Sequence, residues 1–376
     1  MKKKCLLLIM LLILPFITSC NNTDPIKIGF SNELNPYVGT LGFDLLYGAE
    51  LAVEEINDKG GVHSRMIELI VRDDESDAQK AIDNDNELKE LGCVAIIGHT
   101  LSSIAKETIE NAEANDILLI SPTISTSLYE NIDDNFIRLM PTASDQGESL
   151  ANLVLEEHNG ETIVIYEETN QVYSKSVADS FVAETLKNGI TINPNDILSF
   201  EGNNIEDYIE ISDYINNSPI ENILIIGSSF DVGSIVQLLD NVAEKDIFLP
   251  IWPATSDIFA LSGGKIEGAH AINFYDSESS TESYLNFSTS YDEKYGEDIS
   301  FASIFAYESV MVLYEALLVA ESFTTADIKA AIIAIEEFEG INGNFRITEY
   351  GDVVRDLLYF HLTDNKFVRV NHENIE

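Results

Sequence analysis

The chain has 376 residues, 45% of them hydrophobic, which is enough for two domains with separate cores and too apolar for a disordered chain. Lys and Arg number 21 against 65 Asp and Glu, and the resulting net charge of −44 repels phosphate backbones and excludes nucleic acid as a partner. The acid is spread along the chain, as on a solvated acidic surface, and a high-salt habitat that screens self-repulsion would account for it.

The N-terminus reads as a targeting segment. Lys2, Lys3 and Lys4 precede an apolar run over 6–16 that is short for a bilayer span, so residues 1–19 are set aside as a signal peptide. Ile17-Thr18-Ser19-Cys20 has the form of a bacterial lipobox, in which the cysteine is acylated and becomes the new N-terminus. Residues 20–25 then form a lipidated tether, and the mature chain is expected outside the cytoplasmic membrane, anchored to it by lipid. With Cys5 in the signal and Cys20 lipidated, Cys93 is left alone, so counting excludes an internal disulfide. No Cys/His cluster offers a metal site, and no cofactor is expected.

Along the mature chain, short apolar strands alternate with helices. Residues 26–30 alternate as a strand does, and 48–57 carry apolar residues at helical spacing up to Gly60-Gly61. A strand over 66–71 ends at Asp73-Asp74, and a helix follows over 78–91. Val94-Ala95-Ile96-Ile97 is a buried strand bounded by Gly98, and 104–114 is a helix. Ser102 and Ser103 therefore sit where a helix is expected to begin, either as a plain cap or as a seat for the carboxylate of a small ligand. Residues 117–120 form another strand, ending in the hydroxyl-rich run Ser121-Pro122-Thr123-Ile124-Ser125. After Met140-Pro141-Thr142 the alternation restarts, with helices over 148–157, 176–186 and 234–242 and strands over 162–166, 196–200, 220–226, 247–251 and 269–274. A long helix over 300–320 and strands over 345–347, 356–362 and 367–370 close the chain. This is an α/β pattern of parallel sheets covered on both faces, where ligands bind beyond the carboxyl ends of strands.

Gly48 to Asn57 with Gly60-Gly61, then Asp73-Asp74, Gly98, Ser102 and Ser121-Pro122, resemble the leucine/isoleucine/valine-type periplasmic binding proteins. Ser144-Asp145-Gln146-Gly147 and the tail Phe338, Gly340, Gly343, Phe345 and Gly351-Asp352 extend the resemblance over 26–370. It implies the type I periplasmic binding protein fold: two doubly wound parallel-sheet lobes joined by a three-strand hinge. The crossings would fall near Thr142, Tyr275 and Thr348, giving an N-terminal lobe of 26–142 plus 276–347 and a C-terminal lobe of 143–275 plus 348–376. The implied function is non-catalytic: a lipid-anchored monomer captures an amino acid, branched-chain or related, and delivers it to ABC permease subunits. A ligand-sensing partner of a membrane receptor, or a binder of a small amide or carboxylate, is the alternative.

Carried over residue by residue, the ligand's carboxylate is met by Ser102, flanked by Thr100 and Leu101. The head group is met by Ser125, beside Thr123 and Ile124, and Tyr173 of the other lobe closes over it. The family's acid for the ammonium group falls on Ala254, so Asp257 or Asp231 must supply that charge from a shifted position, or the ligand lacks the ammonium. The family's first-lobe aromatic is replaced, with Leu41 before Gly42. A hydrolytic reading of His99, Ser102 and an acid has no nucleophile motif in context.

Overall fold

The structure is a computed structural model that describes residues 24–34, 41–157 and 160–370. The signal, the lipobox with Cys20, and the loop around Asn35-Pro36 and Gly39 lie outside the described residues.

The first half runs β1 (Ile26–Asn32), α1 (Leu41–Asp58), β2 (Ile67–Asp73), α2 (Ala78–Glu90), β3 (Cys93–Gly98), α3 (Ala105–Ala114), β4 (Leu119–Ser121) and β5 (Phe136–Arg138). These strands form one parallel sheet in the order β2-β1-β3-β4-β5. The second half runs α4 (Ala143–Glu157), β6 (Thr162–Glu167), α5 (Gln171–Lys187), β7 (Ile197–Phe200), α6 (Ile205–Asn217), β8 (Asn222–Ile226), α7 (Ser229–Gln237), β9 (Asp246–Leu249), α8 (Ile258–Leu261) and β10 (His270–Asn273). The chain continues through α9 (Glu282–Tyr295), α10 (Phe301–Val319), α11 (Thr325–Ala334), β11 (Arg346–Ile347) and β12 (Val353–Val354), and ends in β13 (Leu358–Thr363) and β14 (Lys366–Val370). The second sheet has the order β14-β13-β10-β9-β8-β6-β7, with the two C-terminal strands antiparallel.

The apolar strands are continuous because both faces are covered. In β3 and β4, Ile97 and Ile120 pack in the core under α1 and α10, while Ile96 and Leu119 pack against Leu88 and Ile109 on the other face. Strand β5, and helices α6, α9 and α11, have no counterpart in the sequence reading. Strand β5 is only three residues long, too short to show a period, whereas α6 does carry a helical one, with Tyr208, Ile211, Ser212 and Ile215 on its buried face.

The chain passes between the sheets after β5, after β10 and before β13. The 347–353 hairpin stays with the first sheet: the Arg138 N–H donates to Gly351 O at 2.9 Å, and the buried Arg138 guanidinium lies 2.8 Å from Asp352 Oδ1. Just beyond it, Arg355 pairs with Glu308 at 2.7 Å, both buried, and stacks over Phe274, Phe305 and Phe345. This cluster ties the second and third crossings to α10.

Helix α10 is long and apolar enough to cross a membrane, but 67% of its apolar window is buried inside the protein. It is the central core helix, and α1 crosses it at Gly48, where an added Cβ would lie 2.0 Å from Ser303 O. Gly48→Ala is therefore expected to push the helices apart and cost about 1–3 kcal/mol in urea denaturation. An unchanged midpoint would refute that contact.

Candidate functional site

In the first sheet the strand order reverses between β1 and β3, and in the second between β6 and β8. Open α/β sheets bind ligands at such points. The loops that follow these strands form the two walls of one cavity. From the first sheet come Thr100, Leu101 and Ser102, with Thr123 from the loop after β4 and Met140 at the first crossing. Leu41 and Phe301, the first residues of α1 and α10, add apolar surface, and the opposite wall is Asn170, Tyr173 and Trp252. The cavity encloses about 20 Å3, close to the volume one water needs.

The first wall is held by hydroxyls. Thr100 Oγ1 donates to Asn32 Oδ1 at 3.2 Å, and Thr123 Oγ1 donates to Thr100 O at 2.8 Å. Ser121 Oγ donates to His99 O at 3.2 Å and accepts from Ile124 N at 2.9 Å. Neither Ser102 nor Ser103 caps a helix: a 3-10 turn, Ser102–Ile104, precedes α3, and no side chain caps either segment. Ser102 Oγ instead accepts from Ser125 N at 3.2 Å, which leaves its own O–H free to donate into the cavity.

Ser125 is not in the cavity wall. Its hydroxyl donates to Pro141 O at 2.5 Å and accepts from Gln146 Nε2 at 2.9 Å, so it braces the first crossing. Ile124 is fully buried in the core beneath. Tyr173 stands in the first turn of α5, because that helix starts at Gln171 rather than at 176. Its ring packs edge-on to Trp252, and its hydroxyl donates to Gln146 Oε1 at 2.9 Å. Burial pushes that hydroxyl's pKa well up, so it stays protonated.

Ala254 lies in the second lobe's core, and Asp257 is exposed, accepting from Ser229 and Thr255 hydroxyls. Asp231 is engaged by the Tyr208 and Ser228 hydroxyls. None of the three lines the cavity. Asn170, Met140 and Phe301 were missed by the sequence reading. With that helix placed at 176–186, the sequence carries no signal for Asn170.

Beside the cavity an acidic groove of about 580 Å3 contains Asp292, Glu293, Glu297 and Asp298, and Ser256 Oγ donates to Asp298 Oδ2 at 2.9 Å. Burial, with the charges of Asp257, Glu297 and Asp298, raises the Asp44 carboxyl to about 6 against a stabilising hydrogen bond from Ser300.

The model of the periplasmic binding protein family matches residues 25–366. The chain belongs to that family. A leucine-, isoleucine-, valine-, threonine-, and alanine-binding protein of Pseudomonas aeruginosa is 22% identical over 336 residues, 88% of this chain and 87% of the relative. Leu/Ile/Val-binding protein BraC3 of Rhizobium johnstonii is 27% identical over 175 residues, and that match spans 46% of this binding protein and only about half (47%) of the relative. The Streptococcus pneumoniae branched-chain amino acid transporter substrate binding protein LivJ, solved with isoleucine, superposes with a TM-score of 0.81 at 23% identity, over 92% of this chain and 99% of that one. At that identity the likeness shows the type I fold.

Under the first wall lies His99, wholly buried. Its Nδ1 is 2.7 Å from Asp74 Oδ2 and its Nε2 is 3.2 Å from Asp85 Oδ2. Burial alone would lower its pKa, but the charge of Asp85 and the hydrogen bonds to both carboxylates outweigh burial and lift it from 6.5 to about 10. A histidine raised on folding stabilises the protein fully below its unfolded pKa and loses that contribution as pH climbs through the folded one. The window here runs from about pH 6.5 to about pH 10. His99→Asn is expected to cost about 3 kcal/mol at pH 6 and to flatten the decline in urea midpoint across that window. A decline as steep as in the wild-type protein would refute a charged His99.

Proposed function

We propose that this is an extracytoplasmic, lipid-anchored solute-binding protein that captures an amino acid, branched-chain or related, between two lobes and delivers it to an ABC permease. The observation that carries this reading is the composition of the cavity: one free hydroxyl donor, Ser102, among apolar walls of Leu41, Leu101, Met140, Trp252 and Phe301. That set suits a carboxylate attached to an aliphatic side chain. The lobes divide near Thr142, near Tyr275 and near Thr348, and they open and close as a hinge. The protein acts as a monomer, without a cofactor.

Binding rather than hydrolysis is supported by His99. Both its ring nitrogens are engaged by carboxylates, so it has none to offer Ser102 as a base.

A thermal-shift screen over the amino acids, their amides and the corresponding carboxylic acids tests the reading, since a ligand at a hundredfold excess over its Kd stabilises by about 2.7 kcal/mol. A branched-chain or related amino acid is expected to give the largest shift, and Ser102→Ala is expected to weaken its binding by about 1–3 kcal/mol. Equal affinity in wild type and variant would remove Ser102 from the site. In cells, Cys20→Ser is expected to move the protein out of the membrane fraction; persistent anchoring would refute lipidation.

A further inference from the structure

Asn170 stands immediately before α5, where an asparagine side chain ordinarily turns back onto the first N–H groups of the helix. Its side chain makes no such bond. The turn is held by Glu167 instead, whose carboxylate accepts from Thr169 N and Asn170 N, each at 2.7 Å. The Asn170 side chain is released into the cavity wall. The residue is only 6% exposed, and its Oδ1 is buried without a hydrogen-bond partner. Buried amide oxygens are almost always paired, and one left open in a pocket wall calls for a donor that arrives with the ligand.

The position is specific. Asn170 follows β6 at the switch point of the second sheet, and Ser102 follows β3 at the switch point of the first. The same small cavity thus has a hydroxyl donor on one wall and an amide acceptor on the other. Among the described residues no carboxylate lines it.

We propose that Asn170 Oδ1 accepts a hydrogen bond from the ammonium group of a bound α-amino acid, and so makes the site select amino acids over carboxylic acids that lack the amine. The inference rests on the amino-acid reading above. A neutral acceptor suits a zwitterion, because the ligand's own carboxylate offsets the ammonium charge and the amide has only to meet an N–H. A site built to pair a ligand N–H rejects the analogue without it, because the protein acceptor is then left unpaired.

The test measures, by calorimetry, binding of leucine and of 4-methylpentanoate, its counterpart without the amine, to wild type, Asn170→Ala and Asn170→Asp. The best amino acid of the screen and its own deaminated acid replace this pair if leucine is not preferred. The wild type is expected to favour the amino acid by about tenfold or more. Asn170→Ala should bring that ratio close to one, mainly by weakening the amino acid. Asn170→Asp keeps an oxygen acceptor and should retain the preference, which separates a lost hydrogen bond from a disturbed helix start. A ratio in Asn170→Ala equal to that of the wild type overturns the role of Asn170 and leaves the amino-acid reading standing. A wild type that binds both compounds equally, or only the deaminated acid, or no amino acid at all, overturns both.

Discussion

The site depends on a buried histidine held between two carboxylates. Asp74 follows β2, Asp85 is in α2 and His99 follows β3, so one imidazolium ties three elements together at the carboxyl edge of the first sheet. A buried charge needs paired donors, and here both ring nitrogens have a carboxylate partner. The backbone of His99 carries the constraint onward: its carbonyl accepts from Ser121 and Thr123, which registers the loop after β4 against the loop after β3.

From there the connections run into the second lobe. Ser102 accepts from Ser125, Ser125 donates to Pro141 and accepts from Gln146, and Gln146 accepts from Tyr173 and from Ile251 N. Gln146 is fully buried, and its amide serves both sides of the first crossing at once. The other two crossings are governed by Arg355 with Glu308 and three aromatic rings. The hinge is thus polar where it adjoins the cavity and stacked aromatic where it adjoins the core. The amides and hydroxyls fix the orientation of Tyr173, while the aromatic stack holds the later crossings against α10.

The cavity differs from the branched-chain pattern in its second wall. Among the described residues no acid lines it and a neutral amide does. An acceptor of this kind gives directionality without a full buried counter-charge.

The strands and most helices were legible because each pairs a simple period with a breaker: Ile96 and Ile97 before Gly98, or 48–57 before Gly60-Gly61. The order of glycines, acids and hydroxyls was enough for the family, and Thr100, Leu101, Ser102 and Tyr173 were placed in the wall where they stand. What the sequence could not decide was where equivalent polar groups point. Ser125 and Ser102 look alike in a hydroxyl-rich loop, yet one braces the crossing and the other keeps its proton for the cavity. Asn170 lies six residues ahead of the helix placed at 176–186, and only the earlier start of α5 and the Glu167 carboxylate that holds the turn bring its side chain to the cavity wall. His99 reads as a strand-end residue until α2 brings Asp85 against it. Periodicity and turn chemistry act within a few residues and are written in the chain. The partner of a buried polar group comes from elsewhere in the fold, so only the tertiary structure decides it.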